Sequence, residues 1–324
     1  LEKLVSHGFK VAICDQMEDP KEAKGTVRRE ITRVITPGLL GTVSPAIGHL
    51  VAVHRGKERW GIASLEISTG DFRVTEIPAD PTSLMGELRR IHPREVVLSE
   101  SSWREESHLL SEFCLNTLPE WIWEESYARR VLYDQFGVTT LSGFDCESIP
   151  AAVVAAGAAL HYVKETQRVP RLPHLTSLKR YRKTECLFLG EETRRNLSLD
   201  ELINLMDRTL TAMGRRRLRE WFYSPLIHKE AIESRLDAVE ELWTHPHLLD
   251  GIREGLEEVS DLEKINSRLS LGTANARDLN ALARSLEALK GLADPLKEFN
   301  TPLLAKISSS WNSFDLIAEE IGRT

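Results

Sequence analysis

Cysteine is scarce in this chain, with Cys14, Cys114, Cys146 and Cys186 the only four in 324 residues. They stand far apart and form no C-x-x-C pair, which argues against a zinc knuckle or a disulfide framework and leaves reduced thiols as the expectation. Long apolar runs are missing too. The longest, Ala151 to Leu160, is well short of the roughly 20 residues that cross a bilayer. No signal-peptide pattern stands at the front of the sequence, so no membrane partner and a cytoplasmic location are expected. Nor is there a G-x-x-x-x-G-K-[ST] loop: Gly56-Lys57 is followed by Glu58 and lacks the earlier glycine that completes a phosphate cradle. H-E-x-x-H, G-x-S-x-G and G-x-G-x-x-G are likewise absent. Of ten histidines only His245 and His247 are close; flanking a proline at a helix junction, they read as surface residues, because a metal site would need a third ligand and a supporting shell. The motifs therefore assign no catalytic, cofactor or metal residue.

What is present is an ordinary globular composition, 41% hydrophobic and 28% charged, in a chain long enough for two domains and part of another. The net charge of -7 excludes a chain that is basic throughout. Locally the balance reverses: Arg171 to Arg219 holds twelve Lys and Arg against six Asp and Glu, or +6, leaving -13 elsewhere. That segment is compatible with phosphate contact, and equally with neutralisation by its acidic neighbours.

Leu1 to Gly8 reads as mid-helix, with Leu1, Leu4 and Val5 on one face and no cap ahead of them. Val11 to Cys14 and Ile31 to Ile35 are short β-rich runs separated by the polar Gln16 to Arg29. Residues 1–40 are expected to be the tail of a domain that begins earlier. From Leu50 to about Thr166 strand and helix patterns alternate, as in an α/β domain. Leu50 to Val53, Ile62 to Ile67 and Phe72 to Ile77 make an antiparallel meander, with Ser68 to Asp71 as turn. A helix with Leu84, Leu88 and Ile91 in register stops at Pro93, Glu95 to Leu98 returns as strand, and the alternation continues through Trp103 to Phe113, Leu118 to Trp123 (strand) and Glu124 to Phe136 (helix). Three antiparallel strands followed by strand-helix units is an RNase H-like order. Ser148 and Pro150 open a last helix, Ala151 to Thr166, whose alanines and Gly157 permit close packing on the sheet. V-P-R-L-P-H, Val169 to His174, reads as a stiff spacer.

Beyond about Leu187 the pattern is helical. Ile232, Leu236, Val239 and Trp243 form one stripe and Leu249, Ile252, Leu256 and Val259 another; Ser260 to Glu263 resembles a capping box, and Leu279, Leu282, Leu286 and Leu289 mark a further helix. Each stripe is expected to face a core, with breaks at Pro246, Gly272, Gly291 and Pro295 giving an antiparallel bundle. Most distinctive is Asp207 to Leu226. Leu210, Gly214, Leu218 and Trp221 share one helical face, with Arg215, Arg216 and Arg219 off it. Thr211 is placed to cap this helix, and Ser224 before Pro225 ends it near Tyr223. Its arginines are either a nucleic-acid footprint or a solvated face.

T-R-R-N-L (Thr193 to Leu197), L-M-D-R-T-L-T-A-M-G-R-R-R-L-R-E-W ending at Trp221, and I-E-S-R-L-D-A-V-E-E-L (Ile232 to Leu242) resemble the opening of the core, or lever, domain of the MutS family. V-A-I-C-D-Q-M-E-D-P (Val11 to Pro20), K-G-T-V-R-R-E-I-T-R-V-I-T-P-G (Lys24 to Gly38) and L-E-I-S-T-G-D-F (Leu65 to Phe72) resemble the end of its mismatch-binding domain and the start of its connector. The link from Asn196 to Leu205 departs from the family in being short and free of glycine. This resemblance implies an α/β plus all-α chain: residues 1–40 from the mismatch-binding domain, 41–167 an RNase H-like connector, and 168–324 the start of a helical core/lever bundle. The implied function is part of a mismatch recognition protein that links mismatch sensing to ATPase-driven signalling and MutL recruitment. Its implied partners are mismatched double-stranded DNA, MutL through the connector, and a second copy in the full-length protein, with this stretch monomeric by itself. The Phe-x-Glu wedge of the family does not occur here, and its ATPase, with ATP and Mg as cofactors, lies outside these sequence blocks, so no enzyme activity and no cofactor are expected of this stretch. Weak phosphate contact through Arg194, Arg195, Arg215, Arg216 and Arg219 is the expected residual site.

Two alternatives stay open. One is an RNase H-like metal-dependent nuclease with a helical specificity domain, which needs carboxylates converging on two metals about 4 Å apart; Leu50 to Val53 supplies none, leaving Glu66 and Asp71. The other is an architectural nucleic-acid binder using the +6 segment.

Overall fold

Runs of Val, Ile and aromatic residues in the first half of the chain pair into two sheets, and the Leu- and Ala-rich second half coils into helices. The computed structural model describes residues 1–18, 26–42, 48–181, 186–187, 189–312 and 314–323, with backbone only at 42, 191 and 192. The middle of the polar Gln16 to Arg29 stretch, and Arg182 and Lys183 of the basic segment, lie outside the described residues. The chain divides into two units, Leu1–Tyr181 and Arg182–Thr324.

In the first unit, helix α1 (Glu2–Val5) leads into an antiparallel pair, β1 (Val11–Gln16) and β2 (Arg29–Ile35). Val5, Ile35 and Leu40 close a small core there with Val11 and Ile13. A six-stranded sheet follows, built from β3 (His49–Arg55), β4 (Arg59–Glu66), β5 (Asp71–Pro78), β6 (Pro93–Ser99), β7 (Leu115–Leu118) and β8 (Lys179–Arg180), in the order β7-β6-β3-β4-β5-β8. β3, β4 and β5 form the antiparallel meander, while β6 and β7 run parallel beyond β3. The expected RNase H-like mixed order is therefore present. Short β8 adds a parallel edge to β5 that no sequence pattern announced.

Four helices complete this unit: α2 (Pro81–Ile91), α3 (Glu100–Glu106), α4 (Glu125–Phe136) and α5 (Pro150–Gln167). Asp80 caps α2 by accepting from the Ser83 amide at 2.7 Å, and left-handed His92 followed by Pro93 stops it. Thirteen of the eighteen residues of α5 are buried, among them every one from Ala151 to Leu160. Two glycines let it close in: a Cβ on Gly61 of β4 would lie 1.9 Å from the Ala151 carbonyl oxygen, and one on Gly157 2.4 Å from the Ala128 Cβ of α4. Two expectations are corrected here. The strand expected over Leu118 to Trp123 runs instead over Leu115–Leu118, because Pro119 has no N–H to extend the ladder; Glu120–Trp123 then turns as a 3-10 helix that buries Ile122 and Trp123. Nor is Val169 to His174 a free spacer. Leu172 is wholly buried, Gln135 donates to the Leu172 carbonyl at 2.7 Å, and His174 Nε2 bonds the Ile67 carbonyl at 2.9 Å.

In the second unit the helices are α6 (Glu191–Asn196), α7 (Leu199–Met206), α8 (Ala212–Tyr223), α9 (Lys229–Thr244), α10 (Pro246–Glu257), α11 (Leu262–Ser270), α12 (Ala276–Lys297), α13 (Pro302–Ser309) and α14 (Asp315–Gly322). The short Asn196 to Leu205 link is occupied by α7. Ala238, Leu292, Leu296, Phe299 and Leu304 form the core, with Leu242, Ile252, Leu256 and Leu289 against it. Three readings change. On α9 the stripe of Ile232, Leu236, Val239 and Trp243 points outward, at 38, 59, 58 and 80% exposure, while Ala238 and Leu242 face the core. α12 runs through Gly291 and holds Pro295 near its end, where the missing amide leaves the Gly291 carbonyl without its helical partner. The α11 cap is Asp261, accepting from Lys264; the amide of Ser260 is instead given to Ser285 Oγ at 2.9 Å.

Candidate nucleic-acid interface

α8 begins and ends where its sequence dictates. Thr211 Oγ1 accepts from the Gly214 amide at 3.0 Å, and the helix stops at Tyr223 before Ser224 and Pro225. None of its residues is fully buried, so the single buried face expected of it is only half covered. Trp221 remains 39% exposed, with the Arg235 guanidinium 4.1 Å above its ring.

The α8 arginines divide by environment. Arg216 turns inward, its side chain 18% exposed, and forks onto both oxygens of Asp261 at 2.7 Å while reaching Glu263 at 2.6 Å. Burial opposes the charge of Arg216, but these carboxylates hold its pKa above the ordinary value. Burial likewise pushes Asp261 up, and the Arg216 bonds outweigh it, so this carboxyl stays below the usual range. Such a bidentate pair fixes both partners geometrically. Arg215, at 64% exposure, pairs with Asp207 at 2.8 Å, whose carboxyl is held low chiefly by the Thr209 hydroxyl and amide. Arg219, at 46%, meets Asp200 at 3.2 Å, which also accepts from Tyr223. Arg217 pairs with Glu220 at 2.8 Å. Arg194 and Arg195 close the last turn of α6, and the Arg194 guanidinium stacks 4.8 Å over the Tyr223 ring.

Arg194, Arg219 and Tyr223 are thus joined through one ring and one carboxylate, whereas Arg216 belongs to a separate pairing with α11. Each α8 arginine already faces an acid; Asp200 and Asp207 are counted within the +6, while Glu220, Asp261 and Glu263 come from outside that segment and offset part of it. Exposed pairs of this kind are worth about 0–1 kcal/mol, little enough for a phosphate to displace the carboxylate. Asp261 and Glu263 were legible only as a helix cap; that the same acids also serve Arg216 depends on tertiary approach, which spacing does not encode.

The carboxylates of the nuclease alternative, Glu66 and Asp71, face each other across the β4–β5 ladder but are both already engaged. Glu66 is buried and accepts from Ser68 and Thr69 hydroxyls in its own turn, and Asp71 pairs with Arg73 at 2.7 Å. Among the described residues no group of three His, Cys, Asp or Glu is placed to hold a metal ion. His245 bonds the Glu241 carbonyl at 2.8 Å as a helix-end contact.

Three family models match consecutive stretches of this chain: MutS domain I over residues 1–44, MutS domain II over 48–176 and MutS domain III over 192–323. Similar relatives include proteins named DNA mismatch repair protein MutS from Halothermothrix orenii, 37% identical over 96% of this chain and 36% of the relative. That from Trichormus variabilis is 36% identical over 98% and 40%, and that from Desulfosudis oleivorans 40% identical over 94% and 36%. The chain therefore spans 36 to 40% of the length of these relatives. With three domains of one family matched in order, and its members matched over nearly the whole sequence, this chain belongs to the MutS family.

Proposed function

We propose that the chain works in DNA mismatch recognition as the mechanical link between mismatch sensing and ATP-driven signalling. The observation that supports this best is the uninterrupted order of domains I, II and III in relatives named for mismatch repair. In this reading the first unit carries the connector and the second opens the lever helices. Coupling needs stiff elements, and α12, 22 residues long and packed on α10, α13 and α14, is suited to it. The packed Leu292, Leu296 and Phe299 supply that stiffness.

The stretch itself performs no hydrolysis in this reading. It contacts double-stranded DNA only through phosphate pairing by Arg194, Arg195, Arg215 and Arg219, while Arg216 stays in its pairing with α11, and it recruits MutL through the connector's outer helices. The test is calorimetry of the full chain with cognate MutL at low salt, repeated with the halves divided after Tyr181. Binding by the first half supports the assignment. Binding by the second half alone, or a one-to-one isotherm with ATP and magnesium, overturns it.

A further inference from the structure

On the face of the first unit where α4 meets α5 lies an open groove of about 350 Å³, lined also by Val169, Pro170 and Arg171. Its mouth carries an aromatic cluster. Trp121 is 51% exposed, yet it is anchored edge-on to Tyr127, with ring centres 4.9 Å apart, and to His161 at 5.6 Å. Tyr127 and His161 are locked by a 2.7 Å hydrogen bond between Oη and Nδ1, and Arg130 lies 5.2 Å over the Tyr127 ring. A tryptophan that is half exposed but rigidly held presents apolar area at little entropic cost, which is the character of a binding anchor.

The groove floor adds charge. Lys164 and Arg171 both line it, and among the described residues neither has an ion-pair partner within 4 Å. Burial lowers the Lys164 pKa, Asp134 opposes that, and the nearby Arg171 adds to it; two cations that destabilise each other are the setting in which an incoming anion gains most. Asp134 and Glu165 also line the groove. A single carboxylate meets less of their repulsion than a polyphosphate strand, whose charge extends well beyond the two cations.

We propose that this groove is a docking site for a segment of a partner protein that presents a carboxylate beside an aromatic side chain, the carboxylate held by Lys164 and Arg171 and the ring laid on Trp121. The chemistry is independent of the mismatch-repair reading above, and the test uses peptides alone, so the two can fail separately. The full chain is prepared with 5-fluorotryptophan at its seven tryptophans, and the Trp121 resonance is assigned through Trp121→Phe. The probe is a capped peptide of sequence GSEFGS. The expected result is a saturable shift of the Trp121 signal. Affinity should fall at least about tenfold, or roughly 1.4 kcal/mol, when the peptide's glutamate becomes glutamine or its phenylalanine alanine. The protein variant Lys164→Glu with Arg171→Glu should weaken it equally, while Lys229→Glu in the other unit leaves it unchanged. No saturable shift, equal affinity for the glutamine peptide, or equal weakening by Lys229→Glu overturns the proposal. A short DNA duplex that displaces the peptide and moves the same signal would assign the groove to phosphate instead, and also overturns it.

Discussion

Tyr162 Oη donates to Glu95 Oε1 in the interior of the first unit, where Glu95 is wholly shielded from solvent. The same carboxylate accepts from Asn116 Nδ2, from Thr36 Oγ1 and, at 2.8 Å, from the Gly38 amide. Those donors come from α5, from β7 and from the segment that follows β2, so one side chain of β6 ties three other parts of the chain together. Among the described residues no cation pairs with it. Neutral donors take the place of the missing counter-ion, and burial together with Glu95 pushes the Tyr162 phenol above its ordinary pKa. Gly38 is required at this junction, because a Cβ there would lie 2.9 Å from both the Cβ and Oε2 of Glu95.

Removing one donor should cost less than changing the acceptor. Tyr162→Phe leaves one carboxylate lone pair unfilled, for about 1–3 kcal/mol. Glu95→Gln sets an NH2 against a group that can only donate whichever way it is turned, Asn116 Nδ2 on one side or the Gly38 amide on the other, and should cost more. Urea denaturation of the two variants gives the ranking; a Glu95→Gln protein as stable as the parent would show that the carboxylate is not the acceptor that holds this junction.

A chain cut after Gln167 should be less stable than one cut after Tyr181. The first loses Leu172, Leu175 and Leu178, all buried, each worth about 1.5–3 kcal/mol when fully covered. It also strips Gln135 of three backbone hydrogen bonds, two with Leu172 and one with Leu175, and removes β8. Thermal unfolding of both truncated chains, each beginning at Leu1, decides the matter; equal midpoints would mean that the stretch after α5 adds no stability.

The strands and helix caps were legible because their signals are local: alternation, Pro and Gly stops, and Thr211 before α8. Facing was harder. α9 carries two apolar stripes, and periodicity identified the one with Ile232 and Trp243 although Ala238 and Leu242 on the other side are the ones buried. Nothing in a single helix says which stripe its neighbours will cover. Glu95 was unreadable for a related reason, since a lone acid in a valine-rich strand looks like surface until Thr36, Asn116 and Tyr162 are brought to it from far along the chain. Of the site arginines, the spacing placed Arg215, Arg216 and Arg219 on one helix, but only the approach of α11 separates the inward Arg216 from its exposed neighbours.

Acidification should loosen the first unit before the second. Burial lowers the pKa of His49, His54, His161 and His174, all in the first unit. Each is depressed below its unfolded value near 6.5, so its neutral form contributes stability that is complete above that pH and lost as pH falls through the lower folded values. Denaturant midpoints measured from pH 7.5 down to pH 5 should decline, and His174→Gln should flatten the slope. A midpoint that rises on acidification would reverse the sign assigned here.

The arginines of α8 should separate by assay. Arg216→Ala strands Asp261 and Glu263 and should destabilise the second unit by about 1–3 kcal/mol. Arg215→Ala and Arg219→Ala remove exposed pairs worth about 0–1 kcal/mol. If they contact phosphate as proposed, each should lower the slope of log affinity against log salt for duplex DNA by about 0.9. Matched and mispaired duplexes should shift together in anisotropy titrations, and a preference of about tenfold, or 1.4 kcal/mol, would place base readout within this chain.

A close approach between two helices of the first unit provides the last test. Gly157 of α5 meets α4 so closely that an added Cβ would stand 2.4 Å from the Ala128 Cβ and 2.5 Å from its Cα, and backbone atoms cannot retreat as a flexible side chain can. Alanine raises helix propensity by about 1 kcal/mol over glycine, so on an isolated helix Gly157→Ala would stabilise. Here the clash should win, because parting two packed helices costs about 1–3 kcal/mol or more, giving a net loss. Gly291 supplies the control: it is also inside a helix, nothing lies within 4 Å of an added Cβ, and Gly291→Ala should raise stability. Opposite signs for the two substitutions in one denaturation series are the expected outcome. A stabilising Gly157→Ala would mean that α4 and α5 are not in the close contact described, and the groove between them would have to be redrawn.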